Sequence, residues 1–184
     1  MIGTGFAATL ANAQSGDEDS FVLLWRDTQP ALLRYLHVLA PGAAEDLASE
    51  TWVAVVDGLK GFTGVEEAFR GWVFTIARRK AIDWARSRSR RRTYPVADTA
   101  PLDTARQPDV ADAALERFST QAALALVATL PRDQAEVIVL RVVAGFDTET
   151  VATMLGKSPG AVRVAAHRGL KRLAAALAEA GVTR

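Results

Sequence analysis

The sequence contains no cysteine and only two histidines, His37 and His167, among 184 residues. The absence of cysteine excludes a disulfide framework, a thiol nucleophile and any Cys-ligated zinc or iron–sulfur site. The two histidines lie far apart in the sequence, so we expect no metal site. No run approaches the roughly 18 consecutive apolar residues of a membrane span, and residues 1–14 carry no lysine or arginine that would begin a secretory signal. A cytoplasmic protein without membrane insertion is therefore expected.

Charge of one sign is concentrated in separate parts of the chain, although the formal net charge is only +1. Residues 1–67 hold 3 basic and 10 acidic side chains, whereas residues 68–92 hold 9 basic and 1 acidic. Residues 93–120 are acidic again, and residues 121–184 carry a net positive charge. Such segregation indicates separate surfaces for separate partners, and it favours a polyanion as the partner of the basic segments.

Apolar residues recur at three- and four-residue spacings through most of the chain, which predicts an all-α fold. The pattern predicts a helix or helix pair ending at Pro41 and Gly42, and further helices over residues 44–59, 69–90, 111–130, 132–144, 148–155 and 159–179. The period disappears over residues 93–109, where prolines alternate with aspartates. Proline lacks the donor that a helix needs, and small polar residues bury too little surface to order a segment. The sequence therefore predicts two small helical domains joined by a flexible linker.

Residues 148–167, TETVATMLGKSPGAVRVAAH, have the pattern of a helix-turn-helix motif. Ala152 is the small residue where two helices would cross, Gly156 lies at the turn, and Val162 is an apolar anchor of the second helix. Ser158 is a good N-cap, and Pro159 suits the first helical position. The second helix carries basic residues that fit a DNA major groove. The alternative is an ordinary helical hairpin with a solvated basic face, since such matches are not very specific.

A second candidate surface lies on the predicted helix over residues 69–90. Arg79, Arg86 and Arg90 fall on one stripe, and Trp72 stands at its beginning. A glycine-bounded loop, Gly61–Glu67, precedes the helix. Arginines with a neighbouring aromatic are typical of surfaces that bind single-stranded nucleic acid. The alternative is that the tryptophan belongs to the core and the arginines form a solvated helix end.

With both motifs in view, the sequence resembles the extracytoplasmic-function (ECF) sigma factors of the bacterial sigma-70 family. AAEDLASETW, residues 43–52, resembles the family's core-binding helix in region 2. FRGWVFTIARRKAIDWAR, residues 69–86, resembles its promoter-melting helix, with Arg79 where the family commonly has asparagine. Residues 130–173 resemble the region 4 helix-turn-helix, with Ala165 at a position often occupied by arginine.

The resemblance implies a sigma factor that binds core RNA polymerase, through its beta and beta-prime subunits, and directs promoter-specific initiation without catalysis or a cofactor. It implies an N-terminal extension at 1–19, region 2 at 20–92, an acidic linker at 93–111 and region 4 at 112–180. Promoter DNA and a cognate anti-sigma factor are the further partners that the resemblance implies.

Three sets of site residues follow from the matched motifs. The set expected to bind core polymerase is Glu45, Asp46, Leu47, Glu50 and Trp52. The set expected at the minus-ten promoter element is Phe62, Thr63, Arg70, Trp72, Arg79, Lys80, Arg86 and Arg90. The set expected at the minus-thirty-five element is Ser158, Pro159, Gly160, Arg163, Val164, His167, Arg168 and Lys171.

Two other classes of protein compete with this interpretation. A helix-turn-helix regulator could act on DNA without binding polymerase, but residues 20–90 look like promoter-melting machinery rather than an effector domain. An enzyme would have to use His37 with Asp46 or Glu50, and the sequence offers no nucleophile or phosphate-binding loop to accompany them. Co-purification with core polymerase separates the first interpretation from both others.

Overall fold

A computed structural model describes residues 1–91 and 111–179, with side chains placed except at 91 and 111–119. These residues contain eight α-helices and no β-strand, which confirms the predicted all-α fold. The helices are α1 (Phe6–Gln14), α2 (Glu18–Leu39), α3 (Ala44–Leu59), α4 (Glu66–Arg91), α5 (Ala111–Ala128), α6 (Arg132–Ile138), α7 (Thr148–Leu155) and α8 (Pro159–Glu179). A 3-10 turn, Gly3–Gly5, precedes α1, and a π-helical turn, Val139–Val143, follows α6.

Helix α2 is one continuous helix, although the sequence left a helix pair open at Pro30. It begins at Asp17, whose carboxylate accepts a hydrogen bond from the Ser20 amide at 2.9 Å. The bonds from Ser20 hold the pKa of Asp17 below its usual range. Leu24, Leu32 and Leu36 are buried along the length of the helix. Burial on both sides of Pro30 keeps the helix intact through a residue that lacks an amide donor.

Helix α4 begins at Glu66, three residues before the predicted start at Phe69. Glu66 and Glu67 lie in its first turn, where carboxylates stabilise the positive end of the helix dipole. Gly64, just before the helix, has a φ of +152°. A Cβ there would lie 3.2 Å from both Ala68 Cβ and the Phe62 ring, so the tight entry to α4 requires glycine.

The helix-turn-helix is formed by α7 and α8, with the bounds that the sequence predicts. The Asp147 carboxylate accepts a hydrogen bond from the Thr150 amide at 2.6 Å, which lowers the pKa of Asp147. Gly156 ends α7 in the left-handed conformation with φ +64°, and Ser158 Oγ accepts from the Ala161 amide at 3.2 Å. These caps satisfy backbone groups that the helix ends leave open.

The predicted single helix over residues 132–144 is wrong in its second half. Helix α6 ends at Ile138, and the chain continues as the π-helical turn, in which the Ala144 amide bonds to the Val139 carbonyl at 2.9 Å. The wider turn accompanies complete burial of Val139 and Leu140. Apolar spacing alone does not reveal such a turn, because the same residues would also be buried in an α-helix.

The N-terminal and C-terminal helices share one core. Phe74 of α4 meets the Phe146 ring edge-on at a centroid distance of 5.1 Å, and Tyr35 of α2 lies 5.3 Å from Phe74. Helices α2 and α4, in the N-terminal half formed by α1 to α4, thereby pack against the C-terminal half formed by α5 to α8 and the π-helical turn. The predicted linker lies outside the described residues except for Ala111, and the domain boundaries remain predictions. None of the described helices is both long enough and apolar enough to cross a membrane.

Candidate nucleic-acid interface

The exposed face of α8 carries most of the residues predicted for the minus-thirty-five element. Gly160, Arg163, Val164, His167, Arg168 and Lys171 are all exposed, while Ser158 and Pro159 form the capped start of the helix. Arg163 Nη2 lies 3.3 Å from Glu149 Oε1 of α7, and both side chains are about two-thirds exposed. An ion pair so open to water is weak, so Arg163 can exchange Glu149 for another hydrogen-bond acceptor at little cost.

The opposite face of α8 packs against α6. Val162 is fully buried, and Gly169 is buried against Ile138. A Cβ at Gly169 would lie 2.5 Å from Ile138 Cδ1 and 3.3 Å from Gln134 Cβ, so a larger residue there requires Ile138 or the helix itself to shift. Gly169 is not predicted from the sequence, because a glycine in a basic helix gives no periodic signal. Its close packing holds the basic face at a fixed orientation.

The loop between α3 and α4, residues 60–65, carries an aromatic cluster. The ring of Phe62 is stacked on Trp72 with a centroid distance of 5.1 Å and an interplanar angle of 24°, and it meets Phe69 edge-on at 5.5 Å. Trp72 is half-buried and closes on Gly58, where a Cβ would lie 2.8 Å from Trp72 Cζ2. The structure therefore brings together Phe62 and Trp72, two of the residues predicted for the minus-ten element. Each ring covers one face of the other, so that face is not open to a base.

Thr63 is exposed beside this cluster. Thr63 directly follows Phe62, and its side chain is open to solvent. A polar, exposed side chain next to an aromatic residue in the loop is a suitable contact for an unstacked base, whose edge offers hydrogen-bonding groups.

Arg70 lies apart from the other predicted minus-ten residues. Its Nη2 donates to the Ala144 carbonyl at 2.6 Å, and its guanidinium lies 5.2 Å from the centroid of the Phe146 ring. The Nε atom is buried and has no hydrogen-bond partner. In this arrangement Arg70 joins the two halves of the molecule rather than facing outwards, because the two halves pack together where the sequence predicted separate domains.

The remaining basic residues of α4 lie nearer to solvent. Arg79 is exposed and lines an open cleft between α4 and α7. Arg86 is exposed and lies 3.7 Å from Asp83, while Lys80 Nζ lies 3.2 Å from Glu50 Oε2 of α3. Arg90 is exposed near the end of the helix. The Lys80–Glu50 pair connects the predicted minus-ten surface with the predicted polymerase-binding surface.

Helix α3 presents an acidic outer face, and two of its predicted contact residues lie inside instead. Leu47 and Trp52 are buried in the core, where Trp52 Nε1 donates to Gln29 Oε1 at 2.6 Å. In this arrangement their side chains lie in the core and support the helix. Glu45, Asp46 and Glu50 are exposed. The helix is amphipathic, so its buried stripe takes the apolar residues that the motif also contains.

Two valines on the outer face of α3 were not predicted. Val53 is 63% exposed and Val56 is 53% exposed, three residues apart on the face that carries the acidic side chains. Large exposed apolar side chains grouped on one face are typical of protein contacts. Val53 and Val56 do not fit the helical spacing of the buried residues of α3, and this mismatch is the signal in the sequence that could have predicted their exposure.

The polar set considered for an enzyme does not assemble as predicted. His37 Nε2 lies 3.3 Å from Glu45 Oε1, rather than beside Asp46 or Glu50, and both side chains are largely open to water. Among the residues that the structure describes, no group of three or more histidine or acidic side chains is placed to hold a metal ion.

Two protein families match the chain in the order in which the motifs occur. Sigma-70 region 2 matches residues 24–91, and Sigma-70, region 4 matches residues 120–173. The ECF RNA polymerase sigma factor ShbA of Streptomyces griseus is 39% identical, and the alignment covers 94% of this chain and 95% of that protein. The ECF RNA polymerase sigma factor SigD of Mycobacterium tuberculosis is 32% identical, with 98% and 88% covered.

Solved structures share the fold. CnrH, in complex with the cytosolic domain of CnrY, superposes with a TM-score of 0.65 at 23% identity, covering 94% of this chain and 96% of that chain. The sigma factor RpoE, in complex with the anti-sigma factor NepR from Bartonella quintana, gives a TM-score of 0.64 at 23% identity, covering 89% and 98%.

Proposed function

Because the chain belongs to the ECF sigma factors of the sigma-70 family, we propose that its three exposed surfaces divide the work of promoter-specific initiation between them. The protein is a sigma factor that binds core RNA polymerase and promoter DNA. A regulator acting without polymerase would have no use for region 2, which matches over residues 24–91. The observation that carries the division of work is the separation of exposed acidic and basic faces onto different helices, α3, α4 and α8.

The outer face of α8 reads the minus-thirty-five element. Arg163, His167, Arg168 and Lys171 lie on one exposed face of a helix that is capped at Ser158 and anchored on α6. A helix of this kind enters the major groove with its N-terminal residues against base edges. We assign Arg163 and Val164 to the bases, and Arg168 and Lys171 to flanking phosphates, because the latter two lie further along the helix.

The loop of residues 60–65 and the exposed edge of α4 take the minus-ten element. Thr63 lies at the surface beside the Phe62–Trp72 stack, and Arg79, Arg86 and the neighbouring basic residues follow along α4. An extruded base costs a few kcal/mol of unstacking, which contacts at the loop offset while arginines neutralise the strand. In this assignment the Phe62–Trp72 pair supports the loop, and the exposed residues meet DNA.

The outer face of α3 docks on the polymerase. Asp46 and Glu50 provide a negative rim, and Val53 and Val56 provide apolar contact area between the charges. Complementary charge accelerates encounter, whereas buried apolar side chains hold the complex. We assign this surface to the beta-prime and beta subunits of core polymerase.

Initiation requires the two halves of the chain to separate from the arrangement seen here. The minus-ten and minus-thirty-five elements lie about 25 base pairs apart, or about 85 Å at the rise of B-form DNA. A compact chain of this length is only about 40 Å across. The closed arrangement, in which α2 and α4 pack on the C-terminal half, cannot reach both elements at once. Separation also releases Arg70 from the Ala144 carbonyl, so that it can join the minus-ten set.

We further propose that an anti-sigma factor regulates the protein, that it works in the cytoplasm, and that it uses neither a cofactor nor catalysis of its own. The anti-sigma partner is supported by RpoE, whose solved structure contains the anti-sigma factor NepR. The absence of catalysis is supported by the family, whose members are DNA-binding initiation factors.

Co-elution with purified core polymerase tests the docking surface. The double variant Asp46→Arg with Val53→Ser changes two exposed side chains and should weaken binding at least tenfold while the fold is retained. Val142→Ser, which alters an equally exposed valine in the C-terminal half, is the matched control and should bind as the wild type does. Unchanged binding of the double variant would show that polymerase docks elsewhere.

A further inference from the structure

The N-terminal helix α1 holds the loop of residues 60–65 through a single side chain. Gln14 Nε2 donates two hydrogen bonds, to the Leu59 carbonyl at 2.9 Å and to the Phe62 carbonyl at 2.7 Å. Leu59 is the last residue of α3, and Phe62 lies inside the loop. One primary amide has two donors, so both are used on the loop. Helix α1 lies before residues 24–91, the part of the chain that matches region 2.

Helix α1 is itself firmly packed, so Gln14 is a fixed point. Phe6, Leu10 and Ala13 are buried at helical spacing, and the Phe6 ring lies 5.8 Å from Phe69 at the base of the aromatic cluster. Upstream of α1, the amides of Ile2 and Gly3 donate to the Glu66 carboxylate at 2.7 and 2.9 Å. The N-terminal segment therefore bonds to the start of the loop through Gln14 and to Glu66, the first residue of α4, through the amides of Ile2 and Gly3.

The two bonded carbonyls explain why this contact controls geometry. The Leu59 carbonyl is at the C-terminus of α3, where it also accepts the Phe62 amide at 3.1 Å, so the Gln14 bond is the second one on this oxygen. The Phe62 carbonyl is the next peptide group before Thr63, the exposed residue assigned to the minus-ten base. Tying both carbonyls to one amide fixes the path of the loop between them, and with it the position of Thr63 and of the Phe62–Trp72 stack.

We propose that Gln14 is a positioning residue for minus-ten recognition, and that α1 is a working part of the promoter-reading site rather than an extension outside it. The proposal rests on the assignment of the loop to the minus-ten element. Gln14 does not touch DNA in this account. It restricts the loop to one conformation before the base arrives, so that recognition does not require ordering of the loop during binding.

A merely structural role for Gln14 has a different signature. Gln14 is half-buried, and the carbonyls that it serves can bond to water when its side chain is removed. Its loss should therefore leave global stability almost unchanged while the loop gains freedom. A side chain that only stabilised the fold would lower stability and damage all activities together.

Two variants and one control test the proposal. Gln14→Ala removes the amide, and Gln14→Glu keeps the shape but replaces the donors by a carboxylate that repels both carbonyls. Thr9→Ala, on the same helix, removes a hydroxyl that bonds only to Gly5 of the N-terminal segment and should behave as the wild type. Amide hydrogen exchange of the peptide spanning residues 60–65 should accelerate several-fold in both Gln14 variants and remain unchanged in the control and in α8.

The functional readout is discrimination between the preferred minus-ten base and a substituted base on a promoter with a pre-melted bubble, measured in the polymerase holoenzyme. Discrimination should fall about tenfold in both Gln14 variants, because the loop loses restraint equivalent to about one hydrogen bond. Affinity for the upstream element should stay the same. Retained discrimination, or an equal loss of upstream affinity, would overturn the proposal.

Thr63→Ala separates failure of the proposal from failure of the assignment on which it rests. If Thr63→Ala reduces minus-ten discrimination and the Gln14 variants do not, the loop reads the element but Gln14 does not position it. If Thr63→Ala and both Gln14 variants leave discrimination intact, the loop does not read the minus-ten element and both claims are wrong.

Discussion

Arg78 of α4 and Glu136 of α6 form a hydrogen-bonded ion pair between the two halves of the molecule, with 2.8 Å between Nε and Oε1. The same carboxylate oxygen accepts the hydroxyl of Tyr35 at 3.0 Å. Glu136 is 5% exposed, so its charge is kept from water almost completely. A carboxylate buried to this degree depends on its donors, and both come from the other half of the chain. The contact therefore exists only while the two halves are together.

Glu136→Ala should shift the chain from the closed arrangement towards an open one. The substitution leaves the Tyr35 hydroxyl without a partner in the closed form, at a cost of about 2 kcal/mol, whereas separation lets water solvate both donors. Because the chain has no cysteine, two labels can be placed at the exposed positions Ala11→Cys and Ala174→Cys. Energy transfer between them should fall in Glu136→Ala.

Glu149→Ala is the matched control for this measurement. It also removes a carboxylate that pairs with an arginine, but Glu149 and Arg163 both belong to the C-terminal half and are exposed to water. Energy transfer should stay at the wild-type level. Equal transfer in the wild type and in Glu136→Ala would show that Glu136 does not hold the halves together.

Because Tyr35 is buried between the two halves, the stability of the closed arrangement should depend on pH in the alkaline range. Burial, and then the negative charge of Glu136, raise the pKa of Tyr35 well above its ordinary value. The folded state therefore keeps a proton that the unfolded state releases near pH 10, so this contribution to stability is complete below about pH 10 and is lost as the pH rises beyond it.

Tyr35→Phe isolates that contribution. Below about pH 9 the variant should be less stable by about 1 kcal/mol, since it lacks the hydrogen bond to Glu136. Between about pH 10 and pH 11 the wild type should lose up to about 1.4 kcal/mol relative to Tyr35→Phe, so the difference shrinks or reverses. Urea unfolding at a series of pH values measures it, and a difference that stays constant through pH 11 contradicts the assignment.

On α8, Arg163→Ala and Lys171→Ala should each weaken binding to a duplex that carries the upstream element. Lys171 is assigned to a phosphate, so Lys171→Ala should also reduce the slope of log affinity against log salt by about one unit, whereas Arg163→Ala, at a residue assigned to the bases, should relax sequence specificity. Arg172→Ala is the control, because Arg172 Nη1 is turned towards α6 and bonds to Gln134 Oε1 at 3.2 Å. An unchanged salt slope for Lys171→Ala, together with unchanged affinity of Arg163→Ala for the upstream element, would show that this face does not meet DNA.

Arg79→Ala and Trp72→Ala should differ in the way that they impair promoter opening. Arg79 is exposed, so its removal should leave thermal stability nearly unchanged and reduce permanganate reactivity of promoter thymines on duplex DNA. Trp72 packs on Phe62 and Gly58, so Trp72→Ala should lower stability and disturb the loop on duplex and pre-melted templates alike. Full opening by Arg79→Ala on both templates would place the melting function elsewhere.

The sequence alone could predict most of the secondary structure but little of the tertiary contact. The bounds of α3, α7 and α8 agree with the predicted ranges because caps, glycines and apolar spacing are local signals. The matched motif contains Trp52 and Leu47, which the structure buries, since a motif includes residues that support the helix as well as residues that face outwards. Val53 lies on the exposed face of α3, but this is known only once the packing of α3 against its neighbouring helices is known.

Contacts between distant segments leave no local signal. Gln14 meets the Phe62 carbonyl, 48 residues further along the chain, and Tyr35 meets Glu136 across 101 residues. Neither glutamine nor glutamate is unusual in a helix, so nothing in the neighbouring sequence marks either residue. The site residues assigned to polymerase and to the two promoter elements remain predictions.

The most direct test of the account is run-off transcription with purified core polymerase on the promoter of the protein's own gene, compared with templates in which one element is scrambled. We predict specific transcripts only when the protein is added, loss of these transcripts when the minus-ten element is scrambled, and partial rescue of that template by a pre-melted bubble. We also predict that Arg163→Ala reduces transcription from the intact promoter and has little further effect when the minus-thirty-five element is scrambled. Specific transcripts that do not depend on the added protein, or that survive scrambling of both elements, would contradict the assignment of promoter recognition to these surfaces.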